Sequence, residues 1–502
     1  MAPKGETAKG SEQRPTSRRW GGRYLDMKFA LWWTLAWAVV IMALSPIVNY
    51  VTPFLNPAYN NQWTPDFFYR LLLYWHGGLF LPWVIVLATL AYLVLGFDRR
   101  KELPARALRA LLFWAALVAV PLAGIGGIFN VTDSFALSIP HWMESTGFAF
   151  LDLIAITLIV TMIVYPYVSG KGYRKVGSPF YVILLSVAGT FVAASMGYVG
   201  AYITISGPSP APVAGYINST MYPVLGYYNS SAVVTFTENV LTSHSHTMLP
   251  MLMAGVVALA AMVYGYHDWP SRERLIASFG FMIMICAIVA TVWIYWVSGM
   301  GNFSIPSLLT SGPGGINGVA EDDLVTGFVG LGAVFVLIAL VAHATNAKTR
   351  DGRPLIRDSL FLSVIAGWII IYLVIPVTGY YIEFHQDFYS AAGAGFDAAF
   401  TRFHNDFAFF LLPALVTTVL VFETFGMQGK VRRWTGYLYL SGMIITFVFG
   451  ETYAMVTLDP LELYLAAFGG LLMGLGAILG TNYLRKADVT SLHHITAQEQ
   501  IV

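Results

Sequence analysis

Three short stretches decide the fold of this chain, because each places histidine inside an apolar segment: YWHGG at 74–78, SHSHT at 243–247 and RFHND at 402–406. His76 and His246 are 170 residues apart, and His246 and His404 are 158 residues apart. An imidazole inside a bilayer is costly unless it is paired or binds a metal, so such a residue is functional by default. The near-regular recurrence predicts an internal threefold repeat that carries metal-binding side chains.

The composition is that of a polytopic membrane protein. Of the 502 residues, 57% are hydrophobic and 11% are charged, and the mean hydropathy is +0.65. A net charge of +1 gives no basic surface for nucleic acid. Cys286 is the only cysteine, which excludes an intrachain disulfide, an iron–sulfur cluster held by this chain alone and a covalently attached haem.

Segments of about 20 apolar residues span a bilayer, and the sequence contains twelve. They predict an all-α integral membrane protein, a bundle of 12 transmembrane helices with threefold pseudosymmetry. The chain would then have a basic N-terminal tail (1–27), one membrane domain (28–483) and a C-terminal tail (484–502). The predicted spans are 28–50, 67–96, 106–129, 148–168, 179–203, 237–266, 275–298, 324–346, 358–380, 398–424, 435–456 and 461–483.

The distribution of basic residues predicts the orientation of the spans. Of the 28 Lys and Arg residues, 26 fall on one side, and cytoplasmic connections are the ones enriched in basic residues. We therefore expect a multi-pass protein of the plasma (cell) membrane with both termini in the cytoplasm. The connections of the opposite, outer side have no Lys or Arg: 51–66, 130–147, 204–236, 299–322, 381–401 and 457–460.

Two arginines break this distribution and lie near the outer ends of histidine-bearing spans. Arg70 precedes His76 by six residues, and Arg402 precedes His404 by two. An arginine fork matches a carboxylate, so both arginines are candidate partners for the propionates of a haem. The alternative is that each side chain extends to the outer interface of the membrane.

Four histidines lie at one depth, because the second, sixth and tenth spans run in the same direction. His76, His244, His246 and His404 are 6 to 10 residues into these spans, about 9–15 Å below the outer surface. A low-spin haem needs two facing histidines from different helices; the alternative for each is an interhelical hydrogen bond. His244 and His246 differ by about 200° around a helix, so they can serve two metal centres. Asp406 could orient His404.

The chain resembles subunit I of the haem–copper oxidase superfamily, which includes the nitric oxide reductases. The resemblance covers the membrane region, 28–483, and consists of twelve helices, cytoplasmic termini and histidines in helices 2, 6 and 10. The stretch around His244 and His246 also resembles the H-x-H signature of the family's tenth helix. The resemblance implies a cytochrome oxidase subunit I-like fold, and by position it implies His76 and His404 as the ligands of a low-spin haem.

The chain departs from the family at the active centre. The family holds a second metal, copper or non-haem iron, with one histidine of helix 6 and a histidine pair at the start of helix 7. The seventh span has no histidine, and Arg402 stands where the family has the proximal histidine of its high-spin haem. The sequence therefore argues against oxygen or nitric oxide reduction by the family mechanism, and we expect no copper.

Two ligand arrangements remain open. In the first, His76 and His404 hold one haem, as in the family. In the second, one of His244 and His246 pairs with His76 and the other pairs with His404, which gives two bis-histidine haems. Both arrangements use histidine nitrogens alone and leave no free coordination position for a gas.

Both arrangements predict the same function, that of a b-type cytochrome that transfers electrons near the outer face. The cofactor would be one or two haem b groups, although haem a or haem o would be held in the same way. The chain would be a redox subunit of a respiratory-chain complex, and its partners would be lipid, other subunits, and either quinol or an outer cytochrome, copper or iron–sulfur protein. The alternatives are a catalytic terminal oxidase or nitric oxide reductase with unusual ligands, and a twelve-helix transporter.

Overall fold

The computed structural model describes residues 27–55, 74–132, 138–168, 172, 176–205, 230–300, 318–374, 411–457 and 459–487. Most of these residues are helical, and they include no named β-strand. Thirteen α-helices follow one another along the described ranges: α1 Met27–Leu55, α2 Leu81–Val94, α3 Leu103–Trp114, α4 Val120–Thr132, α5 Ser138–Val168, α6 Ser178–Ile205, α7 Ser230–Val263, α8 Ser271–Met300, α9 Gly318–Asn346, α10 Ser359–Ile369, α11 Leu412–Thr424, α12 Gly429–Thr452 and α13 Pro460–Lys486.

Nine helical segments of the described ranges are long and apolar enough to cross a membrane, and each coincides with one of the predicted spans. The other three predicted spans contain shorter apolar stretches, Met248–Val263, Ser359–Val374 and Leu412–Thr424. The multi-pass helical membrane architecture is therefore confirmed. The number of twelve helices, the threefold repeat and the orientation in the membrane stay predictions.

The three spans predicted to carry the histidines contact one another in the core. Helix α2 packs against α7 and α11, and α7 also packs against α11. The segment His76–Val94 is buried inside the protein along nearly its whole length, and only His76 and Ala88 are partly exposed. A hydrogen bond from Trp83 Nε1 to Thr417 Oγ1 (2.9 Å) joins α2 to α11. The second, sixth and tenth spans thus form the centre, while helices such as α5 and α8 expose apolar side chains at the periphery.

Short π-helical turns interrupt the helices at four places in the described ranges: His76–Phe80, Ala115–Ala119, Ile370–Val374 and Tyr453–Thr457. The first three end two residues before a proline, at Pro82, Pro121 and Pro376. A proline has no N–H to donate, and its ring collides with the carbonyl group four residues earlier. The helix widens by one residue in front of each proline, and such π-turns are frequent at functional sites.

Candidate functional site: a histidine pair beneath the ends of three helices

His76 opens the π-turn that leads into α2. The Leu81 N–H donates to the carbonyl oxygen of His76, five residues earlier, which is the hydrogen-bond pattern of a π-helix. Just before it, Tyr74 is fully buried, and its hydroxyl donates to the carbonyl oxygen of Ile41 in α1 (2.7 Å). The backbone around His76 is therefore fixed on both sides.

Two glycines allow this turn to lie against its neighbours. A Cβ on Gly77 would lie 2.5 Å from the carbonyl oxygen of Ala123 in α4, and a Cβ on Gly78 would lie 2.6 Å from Cγ2 of Ile41. Both distances are shorter than van der Waals contact, so only glycine permits this approach. The sequence His76-Gly77-Gly78 thereby combines a histidine side chain with a backbone that packs directly onto α4 and α1.

His244 lies in α7 and is oriented by α6. Its Nδ1 is 2.7 Å from the carbonyl oxygen of Ala193. A carbonyl oxygen can only accept, so Nδ1 carries the proton and Nε2 keeps its lone pair. Histidines that bind metals usually donate their second ring N–H to a carbonyl or a carboxylate in this way. The partner fixes both the tautomer and the orientation of the ring.

The structure brings His76 and His244 together. Their ring centroids are 6.5 Å apart and their planes are inclined by 25°. With metal–nitrogen distances of about 2.0–2.1 Å, two imidazoles on opposite sides of one ion have centroids about 6.3 Å apart. The observed separation and the free Nε2 of His244 therefore fit a bis-imidazole haem. Phe80 and Phe148 flank the His76 ring, with centroids 5.7 and 6.4 Å away.

The other predicted site residues are placed only in part. The backbone of His246 continues α7, but its side chain is outside the described set. Arg70, Arg402, His404 and Asp406 lie outside the described residues, so their roles stay predictions. Within the described part of the chain, no group of three or more His, Cys, Asp or Glu side chains could hold a metal ion. A metal at the histidine pair would need further ligands from a cofactor such as a porphyrin.

Glu144 is a buried residue that the sequence analysis placed in the connection 130–147, whereas the structure has it in a helix and within the candidate span Trp142–Val168. Helix α5 begins at Ser138, ten residues before the predicted span, and Glu144 is only 4% exposed. Hydropathy alone cannot show that a carboxylate is enclosed by other helices. The available signal was the run Gly124-Ile125-Gly126-Gly127 in an apolar segment, which indicates that another helix approaches closely.

A second buried polar cluster lies at the opposite ends of the central helices, and we call Arg432, Asp358, Glu423 and Tyr264 the arginine cluster. Arg432 donates to both oxygens of Asp358 (Nε–Oδ2 3.0 Å, Nη2–Oδ1 2.8 Å) and to both oxygens of Glu423 (Nη1–Oε2 2.7 Å, Nη2–Oε1 2.5 Å). Its fifth N–H reaches the carbonyl oxygen of Met427 (3.1 Å).

The arginine cluster joins four helices. Asp358 caps α10 by accepting the N–H of Phe361 (3.1 Å), and Glu423 lies near the end of α11. The hydroxyl of Tyr264, just after α7, donates to Glu423 Oε1 (3.2 Å). All five donors of the guanidinium are used, so the cluster is a saturated structural link and has no donor to spare for a ligand.

Comparison of the chain with protein-family models, with curated proteins and with solved structures finds no significant match. The case for the histidine pair therefore depends on its own geometry.

Proposed function

We propose that this chain is a membrane b-type cytochrome in which His76 and His244 bind one haem iron from opposite sides. The observation that supports it is the histidine pair. The ring centroids are 6.5 Å apart, and the Nδ1–H of His244 donates a hydrogen bond to a backbone carbonyl oxygen. A haem held in this way supplies one-electron chemistry, while the protein contributes ligand identity, burial and orientation. The single cysteine leaves non-covalent binding as the mode of attachment.

The pair favours the arrangement with two haems. His76 precedes Pro82 by six residues and His244 precedes Pro250 by six residues, so the two histidines occupy equivalent positions of the predicted repeat. His246, which differs from His244 by about 200° around the helix, is then available for His404 and a second haem. In this arrangement Arg70 and Arg402 are the candidate propionate partners.

The distribution of basic residues supports a position of the haem near the outer face of the membrane. With 26 of the 28 basic residues on the cytoplasmic side, the histidines lie nearer to the outer face of the cell membrane. Electrons would come from, or pass to, quinol or an outer cytochrome, copper or iron–sulfur protein. A coordinatively saturated iron exchanges electrons and binds no gas, so the chain acts as a redox subunit of a respiratory complex.

The test is the reduced-minus-oxidised absorption spectrum of the full chain, with haem quantified as the pyridine haemochrome, before and after CO is added. We expect one or two low-spin haems per chain and no change on adding CO. The substitutions His76→Ala and His244→Ala should each remove the same haem. His343→Ala is the matched control, because His343 stacks on Trp269 away from the pair (centroids 5.3 Å apart).

Three outcomes would overturn parts of the proposal. If His244→Ala keeps its haem while His76→Ala and His404→Ala both lose it, the ligands are those of the arrangement with one haem. A haem that binds CO would identify a catalytic oxidase or nitric oxide reductase with unusual ligands. A folded chain without Soret absorbance would exclude a cytochrome.

A twelve-helix transporter is the second candidate. The observation that favours it is the set of four π-turns in the described ranges, because transporters bind their substrates where membrane helices are interrupted. The His76 turn would then contribute polar groups to a substrate site instead of a haem ligand. The spectrum described above separates the two candidates.

A further inference from the structure

Glu144 is enclosed by glycines from two neighbouring elements. A Cβ on Gly77 would lie 3.4 Å from the Glu144 Cγ, and a Cβ on Gly126 would lie 3.3 Å from the same atom. A Cβ on Gly127 would lie 3.5 Å from Oε1. Gly77 in the π-turn and Gly126 and Gly127 in α4 thus leave space for the side chain of Glu144, which is only 4% exposed.

One oxygen of the Glu144 carboxyl group is without a partner among the described residues: Oε1 is buried and forms no hydrogen bond with any of them. No ion pair joins Glu144 to a described Lys, Arg or His, whereas Glu423 lies 2.5 Å from Arg432. Burial therefore leaves at least one oxygen without the donors that normally compensate an ionised carboxylate.

Among the described residues, few titratable groups belong to the elements around Glu144, and none of them forms an ion pair with its carboxyl group. On the α2 side are Tyr74, whose hydroxyl already donates to Ile41, and His76. Helix α4 has no titratable residue, and α1 has Lys28 at its far end and Tyr50, whose side chain is outside the described set. On α5 itself, Asp152 lies two turns further along, and the side chain of His141 is outside the described set.

Ionisation of a carboxylate in such an enclosure would cost several kcal/mol of desolvation, and no described residue supplies an opposite charge that offsets this cost. A neutral carboxylic acid avoids most of this cost and gains an O–H donor. An intramembrane acid that is kept in spite of its cost is a functional group by default, and proton transfer is a common role.

We propose that Glu144 is a proton-binding site, a carboxylic acid that is neutral at rest and exchanges its proton with water at the nearby helix ends. The inference depends only on Glu144 and its neighbours and does not rest on the haem, so its failure and the failure of the cytochrome proposal are separate results. Whether the chain is a cytochrome or a transporter, it would then have a proton-binding site next to the turn that contains His76.

The experiment is attenuated-total-reflection infrared spectroscopy of the full chain in lipid, perfused with H2O and then with D2O buffer at neutral pH. We expect the wild type to show the C=O band of one neutral carboxylic acid that Glu144→Gln lacks, and we expect this band to shift in D2O. Gln has the shape of the neutral acid, so the variant should fold. Glu144→Asp should retain a neutral acid band and supplies a second test if Glu144→Gln is unstable.

Two results would overturn the proposal. If the difference between wild type and Glu144→Gln consists of carboxylate bands, Glu144 is ionised at rest. If the neutral band is present but does not shift after prolonged D2O perfusion, the proton does not exchange and the group is a structural one. The control variant Glu462→Gln, in the first turn of α13, should leave the neutral acid band in place.

Discussion

The arginine cluster and the surroundings of the histidine pair are both buried polar regions, but they differ in how completely their groups are paired. In the arginine cluster, every N–H of Arg432 has an acceptor, and both carboxylates lie within 2.8 Å of the guanidinium. Beside the histidine pair, Oε1 of Glu144 and Nε1 of Trp75 have no hydrogen-bond partner among the described residues. Saturated networks hold a fold together, whereas unsatisfied buried groups mark places where a ligand, a proton or water is expected.

Removal of the cation from the arginine cluster should have the largest effect. Arg432→Met leaves Asp358 and Glu423 buried without their partner, and breaking a buried pair in this way costs about 3–5 kcal/mol. Thermal unfolding followed by tryptophan fluorescence measures the loss. The neighbour Arg433 is exposed, so Arg433→Met should unfold like the wild type.

The same prediction has a compensating test. Because the damage would come from uncompensated charge, Arg432→Met combined with Glu423→Gln and Asp358→Asn should recover part of the lost stability. A triple variant that is as unstable as Arg432→Met would show that packing of the arginine, and not its charge, is what the cluster requires.

Substitution of Gly77 should have the next largest effect, this time at the histidine pair. A Cβ there would meet the backbone of Ala123 at 2.5 Å, and such overpacking costs about 1–3 kcal/mol. Gly77→Ala should therefore lower the unfolding temperature and also reduce haem content, because it displaces the turn of His76. In Gly470→Ala, the added Cβ has no neighbour within 4 Å, so that variant should be at least as stable as the wild type.

The two glutamates allow a direct comparison of the two regions. Glu423→Gln removes the charge that faces Arg432 and should cost about 1–3 kcal/mol. Glu144→Gln replaces an acid that we propose to be neutral, so its effect on the unfolding temperature should be much smaller. Equal losses in the two variants would mean that Glu144 is a charged, paired residue like Glu423, and the contrast between the regions would be lost.

The smallest effect is expected at the edge of the arginine cluster. The Gly429 N–H (3.0 Å) and the Arg353 guanidinium (3.1 Å) hold the pKa of Asp351 below its ordinary value. A lowered pKa contributes stability that is present above the unfolded-state pKa and is lost as the pH falls through the folded-state value. Asp351→Asn should therefore lose a small amount of stability at neutral pH and none in acid. If the stability lost in Asp351→Asn became larger as the pH is lowered, the lowered pKa of Asp351 would be contradicted.

The sequence predicted the membrane class and the approximate position of the nine candidate spans within the described ranges, because the length and hydropathy of a segment decide whether it can cross a bilayer. The predicted span began ten residues after the observed start of α5, because the carboxylate of Glu144 lowers the hydropathy of this segment. The sequence does not show that Gly77, Gly126 and Gly127 enclose this side chain. Contacts between helices are set by packing, and the sequence of one helix does not show which helix will cover it.

The histidine pair shows the same limit at the candidate site. The sequence predicted that histidines of the second, sixth and tenth spans share one depth, yet it left open whether His404, His244 or His246 faces His76. The equal distances from His76 to Pro82 and from His244 to Pro250 could have indicated the pairing. The hydrogen bond between His244 and the carbonyl oxygen of Ala193 depends on the relative position of α6 and α7 along their axes. The local sequence of either helix does not determine this position.

The π-turn at His76–Phe80 contains one residue more than an α-helix needs for the same rise. Each residue of a regular α-helix rotates the chain by about 100° around the axis, and a π-turn spreads one turn over more residues. The turn therefore absorbs the extra residue locally and leaves the helix on either side in phase. Deletion of one residue such as Leu79 should let the turn close into an α-helix with its flanking residues in place. The π-turn is thus an accommodated insertion, and the widened backbone next to His76 could be gained or lost through a single in-frame codon.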